Sequence, residues 1–284
     1  MAYGMLSSES VRAPGAGTRL PPRVEPWALA RRLARWPGLF LLLDYDGTLS
    51  DIAPTPEEAV TAPGAVGALR RLIGAPGVAV EVVSGRPLAE LTGRLPLSGL
   101  WLVGEHGAWV RCPDGRPQPL LEAGNVAAAL DELERRASLV LGGRPGWRVE
   151  RKTASLALHY RQVAPEEAAR LLPRIQDLWL RPMAAAGLEL IHGDKVLEVR
   201  PRMIDKGRAV EWLLDQRPGL RPVYLGDDTA DEDAFAAVAE RGGLGVLVAR
   251  SPRPSEARLR LNQPAEVVRF LTALVAERTG QVHP

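Results

Sequence analysis

The chain has 284 residues, enough for one large core or for a core with a smaller second domain. Its 46% hydrophobic and 25% charged residues are ordinary for a globular protein, and a formal net charge of +2 gives no reason to expect nucleic acid or a membrane as a partner. Cys112 is the single cysteine, which excludes an intrachain disulfide and a zinc site built from cysteines.

The first residues, 1–24, are rich in Ser, Gly, Pro and Arg and lack the apolar centre of a signal peptide. We predict that they form a flexible N-terminal tail. No apolar run reaches the length that crosses a bilayer. A cytoplasmic location is therefore expected. We also expect a monomer.

Beyond the tail, predicted strands and helices alternate at both ends of the chain, as in a doubly wound parallel sheet. The apolar run at residues 38–43 is typical of a buried parallel strand. The other predicted strands are 78–83, 100–103, 108–111, 223–225 and 245–248, and the predicted helices are 65–73, 87–94, 206–214, 265–276 and one from residue 234. The fold class predicted for this part is α/β.

The middle of the chain follows a different pattern. A Pro- and Gly-rich stretch at 112–119 is predicted to be a turn at a domain boundary. It is followed by a helix (126–136), two strands (147–151, 156–160), a second helix (166–180) and two more strands (188–192, 196–200). This order predicts an inserted α+β domain with two helices on one face of an antiparallel sheet. The predicted domains are a core at 25–113 and 202–284 and an insertion at 114–201.

Asp44 and Asp46 come directly after the first predicted strand, and Gly47 lets the chain turn there. Ligand sites in open α/β sheets lie at the carboxyl ends of strands. Two carboxylates at such a place can hold a hard cation, and one can attack phosphorus. The alternative is an Asp-Gly turn that a second Asp caps.

Ser84 and Lys206 also lie where predicted elements meet. Ser84 ends the second strand, where a hydroxyl and backbone N–H groups can hold phosphate oxygens, although Ser-Gly is also an ordinary turn. Lys206 begins a helix, where its charge opposes the helix dipole unless an anion is bound. The alternative is a solvated lysine on a helix capped by Asp205.

An acidic loop begins at Asp227 and carries four Asp and one Glu within seven residues. These charges repel one another unless a cation or a helix N-terminus compensates them. We predict that Asp227 and Asp228 contribute to a Mg²⁺ site with Asp44. For the later acids, capping of the next helix by Asp231 or Asp233 is the preferred interpretation.

These motifs resemble, in order and in spacing, those of the haloacid-dehalogenase-like phosphatases. The resemblance covers the core from residue 38 to the end, and the insertion falls where this family has its larger cap domains. More narrowly, the chain resembles the trehalose-6-phosphate phosphatase family. The segments that carry this resemblance are Ser84-Gly85-Arg86, Gly104-Glu105-His106-Gly107, 150–161, 195–201 and the acidic loop, in which Ala230 stands where the family has Thr.

The resemblance implies a role for each matched residue. Asp44 is the nucleophile, Asp46 the general acid and then base, and Ser84 and Lys206 bind the transferred phosphoryl group. Mg²⁺ is held by Asp44, the backbone carbonyl of Asp46, and Asp227, with Asp228 supporting these ligands or contacting the ion through water. The expected substrate-binding residues are Gly47, Thr48, Gly85, Arg86 and His106 in the core and Glu150, Lys152, Arg161, Lys195 and Glu198 in the cap.

Three functions follow as hypotheses. The first is Mg²⁺-dependent hydrolysis of trehalose 6-phosphate through an aspartyl-phosphate. The second keeps this chemistry with another sugar phosphate, such as sucrose phosphate or glucosylglycerol phosphate. The third is a non-catalytic sugar-phosphate sensor, which could dispense with Asp44 or Asp46, although both are present. For the charged cap residues the alternative is a solvated strand face.

Overall fold

The computed structural model describes residues 19–120, 126–193 and 195–280, which form two β-sheets with packed helices. The helices are α1 (Pro26–Ala34), α2 (Ala65–Ile73), α3 (Leu88–Arg94), α4 (Ala127–Leu141), α5 (Pro165–Ala185), α6 (Lys206–Gln216), α7 (Glu232–Glu240) and α8 (Pro264–Thr279). The strands are β1 (Leu39–Leu43), β2 (Val78–Val83), β3 (Leu102–Gly104), β4 (Trp109–Arg111), β5 (Pro117–Pro119), β6 (Arg148–Arg151), β7 (Leu156–His159), β8 (Leu188–Gly193), β9 (Val196–Pro201), β10 (Arg221–Gly226), β11 (Leu244–Val248) and β12 (Leu259–Leu261). None of the helices in these described ranges combines the length and apolar character that a membrane crossing requires.

The larger sheet has the strand order β12-β11-β10-β1-β2-β3-β4-β5. Its strands run parallel from β12 to β3, whereas β4 and β5 are antiparallel. Strand β1 is buried on both faces, because Leu41 packs with α1, α2 and α8 while Leu42 packs with α6 and α7. Helices on both sides of a mostly parallel sheet confirm the predicted α/β class.

The smaller sheet has the order β6-β7-β9-β8 and is antiparallel throughout. Helices α4 and α5 pack on it around Trp179, whose indole N–H donates to the Leu133 carbonyl at 2.9 Å. This sheet and its two helices, residues 126–201, are called the cap below. The exact boundaries between core and cap stay a prediction.

Three local expectations are corrected. Residues 1–18 of the predicted tail lie outside the described residues, but Arg19 and Arg23 form β-bridges to Ser255 and Arg260, so residues 19–24 are held against the core. Residues 117–119, predicted to be a turn, form β5 because they pair with β4 at the sheet edge. Helix α5 runs to Ala185, past the predicted end at residue 180, because its buried face continues from Trp179 to Met183.

One carboxylate is buried within the larger sheet. Glu81 on β2 is 0% exposed and lies in register with Leu42. Its oxygens accept hydrogen bonds from the Arg217 guanidinium at 3.0 Å and from the backbone N–H of Trp101. Burial raises the pKa of Glu81 to about 7, although Arg217 acts in the opposite direction.

Glu81 therefore binds its proton more tightly in the folded chain than in the unfolded chain, and its contribution to stability is lost as the pH rises from about 4.5 to about 7. We expect Glu81→Gln to remove this loss. As the pH rises from about 4.5 to about 7, the variant should therefore gain about 3 kcal/mol in free energy of unfolding relative to the wild type. Urea denaturation at several pH values measures the difference, and parallel pH profiles would contradict it.

Candidate active site

The cleft between the larger sheet and the cap has a volume of about 910 Å³, within the usual range for small-molecule sites. Strands β1, β2 and β10 are parallel neighbours, so their carboxyl ends open at one edge, facing this cleft. Every predicted site residue lines the cleft except Ser84 and Thr48, which are fully buried and are not among its described lining residues.

The centre of the site is the ion pair between Asp44 and Lys206. Asp44 extends β1, and its N–H donates to the Leu225 carbonyl at 2.8 Å. Lys206 is the first residue of α6, and its Nζ lies 2.7 Å from Asp44 Oδ1. Asp205 caps this helix by accepting the Arg208 N–H, so this part of the alternative interpretation is confirmed. Its other part, a solvated Lys206, is wrong because Lys206 is buried.

Asp231 completes this centre, a role that the sequence did not predict. One oxygen accepts hydrogen bonds from Lys206 Nζ and the Tyr224 hydroxyl, both at 2.7 Å. The other accepts the N–H groups of Asp227 at 2.9 Å and Asp228 at 3.0 Å. Asp231 stands at the N-cap position of α7 but makes no capping hydrogen bond to that helix, so the predicted capping role is corrected. Its side chain is 0% exposed and instead binds the lysine and the loop before it.

Charge and burial compete at this centre. Burial raises the pKa of Asp44 to about 7, even though Lys206 lowers it. Burial and the charge of Asp44 together hold the pKa of Asp227 well above its usual value. Burial lowers the pKa of Lys206, but the charges of Asp231 and Asp44 outweigh it and the pKa is raised. One ammonium thus faces three carboxylates, which leaves negative charge that a cation can compensate.

The carboxylates of Asp44, Asp227 and Asp231 can place oxygens within 4.8 Å of one another, as metal ligands do. Four donors already occupy Asp231, so Asp44 and Asp227 are the two members of this group whose oxygens are more available to an ion. Gly47 allows this approach, since its φ is +68° and an added Cβ would lie 2.0 Å from Asp227 Oδ2. An all-oxygen donor set of this kind fits a hard divalent cation. The Asp228 carboxylate instead accepts the Thr229 N–H at 2.7 Å.

Asp46 is held by Arg86. The guanidinium Nε and Nη2 donate to its two oxygens, each at 2.7 Å. Arg86 is 6% exposed, whereas the Asp46 side chain is 41% exposed and faces the cleft. Such a forked pair fixes the direction of a carboxylate as well as its position.

Ser84 and Thr48 lie apart from the cleft surface. The Ser84 hydroxyl accepts the Arg86 N–H at 3.1 Å, so it supports the turn that carries Arg86. The Thr48 hydroxyl is buried, with no hydrogen-bond partner among the described residues. Their predicted contacts with substrate remain predictions.

On the cap side, Glu198 is the centre of a second polar network. It accepts hydrogen bonds from Lys152 Nζ at 3.0 Å and the Ser155 hydroxyl at 2.7 Å, and its other oxygen lies 2.9 Å from His106 Nε2. Burial would raise the pKa of Glu198, but Lys152 and His106 hold it well below its usual value. Lys152 also donates to the Gly85 carbonyl at 2.9 Å, so this network joins cap and core.

The remaining predicted cap residues lie around this network. Glu150 lies 2.7 Å from His159 Nε2, and Lys195 Nζ lies 5.9 Å from the centre of the Tyr160 ring. Arg161 lines the same cleft. The prediction that these residues bind the sugar stays a prediction.

Two further residues support the site without a clear signal in the sequence. The Tyr224 hydroxyl orients Asp231, although the sequence of β10 indicates only an apolar strand. Arg253 donates to the backbone carbonyls of Asp227 at 3.1 Å and Asp228 at 2.9 Å. Arg253 follows β11 in an irregular segment, and only the tertiary structure brings it to the acidic loop.

The sheet order and the acids at the strand ends define a haloacid-dehalogenase-like fold. The profile of the trehalose-phosphatase family matches residues 42–265, and the chain belongs to that family.

Three known proteins illustrate the similarity. The C-terminal domain of trehalose-6-phosphate phosphatase from Candida albicans superposes with a TM-score of 0.81 at 23% identity, over 91% of this chain and 99% of that one. A trehalose-phosphate phosphatase of Mycobacterium tuberculosis is 36% identical over 96% of this chain and 70% of its own length. An uncharacterized glycosyl hydrolase of the same species is 38% identical over 91% of this chain, which spans 20% of that longer protein.

Removing the buried ammonium tests the electrostatic account of the site. Lys206→Met leaves Asp44, Asp227 and Asp231 close together without a cation, and we expect the free energy of unfolding to fall by about 3–5 kcal/mol near neutral pH. Arg208→Met, on the same helix but with a more exposed side chain, should change it by less than about 0.5 kcal/mol. Denaturant titration measures both, and equal effects would contradict the account.

Proposed function

We propose that this chain hydrolyses trehalose 6-phosphate to trehalose and phosphate through an aspartyl-phosphate on Asp44. The observation that carries the proposal is the buried Asp44–Lys206 pair at the strand ends, 2.7 Å apart and open to a cleft with a charged cap surface. Membership of the trehalose-phosphatase family supports the choice of sugar.

Asp44 is the proposed nucleophile. Lys206 binds Oδ1, so Oδ2 is the oxygen that attacks phosphorus while the bond from phosphorus to the sugar oxygen breaks in line. The Lys206 ammonium and the Ser84 hydroxyl offset the charge on the transferred oxygens. The backbone of Gly47, Thr48 and Gly85 surrounds the same group.

Asp46 is the proposed general acid and then base. It gives a proton to the departing sugar oxygen, and afterwards takes a proton from the water that attacks the aspartyl-phosphate. Phosphate then leaves and the Asp44 carboxylate is restored. The fork from Arg86 aims Asp46 for both transfers.

Mg²⁺ is the proposed cofactor. Asp44, Asp227 and the backbone carbonyl of Asp46 would hold it, and Asp228 would contribute through water. When bound, the ion supplies positive charge that stabilises the ionised carboxylates and the developing charge on phosphoryl oxygens.

The cap residues are proposed to bind the sugar. Glu150, Lys152, Arg161, Lys195 and Glu198 present carboxylates beside cationic groups. A sugar hydroxyl both donates and accepts, so it can donate to Glu198 while it accepts from Lys152. His106 adds a contact from the core side. A site built for such bonds discriminates against sugars that leave its polar groups unpaired.

A panel of sugar phosphates tests the substrate, measured with Mg²⁺ and with a chelator. We expect kcat/KM for trehalose 6-phosphate to exceed that for sucrose phosphate and glucosylglycerol phosphate by at least about tenfold, which is about 1.4 kcal/mol. Chelation should abolish phosphate release and added Mg²⁺ should restore it. A tenfold preference for another sugar would favour the second hypothesis, and tight binding without turnover would favour the sensor.

Asp44→Asn tests the nucleophile. An amide does not attack phosphorus, so phosphate release should fall by at least about a thousandfold. Lys206 keeps its ion pair with Asp231 in this variant, so the fold should persist. Circular dichroism verifies the fold, and near wild-type activity would show that another group is the nucleophile.

A further inference from the structure

The guanidinium of Arg86 is fixed on three sides. One edge donates to both oxygens of Asp46, Nη1 contacts the carboxylate of Glu90, and the face lies 5.3 Å from the centre of the Tyr45 ring. Because the side chain is 6% exposed, its charge depends on these partners rather than on water. The position of Glu90 therefore affects where Arg86 holds Asp46.

Glu90 is itself anchored. The oxygen that contacts Arg86 also accepts the Arg94 Nε at 2.9 Å. Arg94 reaches from α3 to the backbone, where it donates to the carbonyl of Glu57 at 3.1 Å and to that of Ala59. These carbonyls belong to the loop that follows Asp46 and Gly47 along the chain. Glu90 thus stands between two arginines that both contact the segment carrying the acid.

An ordinary Glu–Arg pair one helical turn apart on a surface contributes only a few tenths of a kcal/mol to helix stability. Glu90 differs because its second partner, Arg86, is buried and binds a reacting group. Removal of Glu90 would leave Arg86 Nη1 without its carboxylate, and the guanidinium could then turn about its remaining contacts. A shift of about 1 Å in a reacting group can lower a rate by about 100-fold.

We propose that Glu90 is a positioning residue, which acts through Arg86 to aim the Asp46 carboxylate at the departing sugar oxygen. The inference rests on the proposed function, in which Asp46 transfers that proton. Glu90 also lines the cleft, and its side chain is 32% exposed. Direct contact with the sugar is therefore the competing explanation, and the two differ in what they change.

The test uses the full chain with Glu90→Ala, Glu90→Gln and the matched control Glu132→Ala. Glu132 is also 32% exposed and binds two arginines, Arg135 and Arg136, but it lies on cap helix α4. With the preferred sugar phosphate and Mg²⁺, Glu90→Ala should lower kcat by about tenfold to 100-fold with KM within about twofold. Glu90→Gln, which keeps an acceptor oxygen, should recover part of kcat, and Glu132→Ala should match the wild type.

p-Nitrophenyl phosphate provides the second readout, because its leaving group departs as a stable phenolate and needs no proton from Asp46. In rapid mixing, Glu90→Ala should release the first equivalent of nitrophenolate at nearly the wild-type rate and then turn over slowly, since the attacking water still needs Asp46. A structural defect would instead reduce that first release in proportion to the loss of sugar-phosphate turnover.

The outcomes separate the two proposals. If the wild-type protein is active and both Glu90 variants keep its kcat, the positioning role is wrong and the proposed function stands. If the Glu90 variants have a raised KM and an unchanged kcat, Glu90 binds the sugar and the positioning role is again wrong. If the wild type releases no phosphate from any sugar phosphate, the proposed function fails and the positioning role fails with it.

Discussion

Two buried carboxylates share one buried ammonium in this protein, and the arrangement of the site depends on that contact. Charged groups are costly to remove from water unless they are paired and hydrogen-bonded. Lys206 satisfies both Asp44 and Asp231 at 2.7 Å, and the three residues come from β1, α6 and the loop after β10. A single interaction therefore joins the strand ends that form the floor of the cleft.

The rest of the core side is organised around this contact. Tyr224 and two backbone N–H groups complete the bonding of Asp231, so its charge is neutralised within the protein. Asp227 has no equivalent cation among the described residues and stays close to Asp44. Burial raises the pKa of both carboxyl groups, and the charge of Asp44 raises that of Asp227 further. This uneven distribution gives the site its capacity for a divalent ion, because the remaining negative charge lies on oxygens that face the cleft.

The cap side follows the same physical rule with different groups. Glu198 is buried but paired with Lys152 and His106. Its contact with His106, and that of Lys152 with the Gly85 carbonyl, join the cap to the core. These contacts between core and cap are polar, and a polyhydroxylated ligand can exchange its hydroxyls for them. In the proposed function, the core carries the groups for phosphoryl transfer, and the cap carries those that select the sugar. This division is consistent with the similarity of the chain to trehalose-phosphate phosphatases along almost its whole length.

The sequence by itself determined the α/β class, most of the strands and helices, and the placement of Asp44, Asp46, Lys206 and Asp227 at element ends. These features depend on local apolar periodicity and on turn residues, which are visible in any short window of the chain. Tertiary structure alone decided the rest. The sequence suggested only a helix cap for Asp231, and its contact with Lys206 forms across 25 residues of chain. Arg253 gave no signal because the carbonyl that it binds lies 25 residues away. Glu90 contacts Arg86 locally, but that contact matters only because Arg86 binds Asp46, 40 residues away. Residues 19–24 and β5 have little apolar pattern and become ordered only by pairing with sheet edges that other segments build. Pairing of buried charges and of edge strands joins distant parts of the chain, so it cannot be read from local sequence.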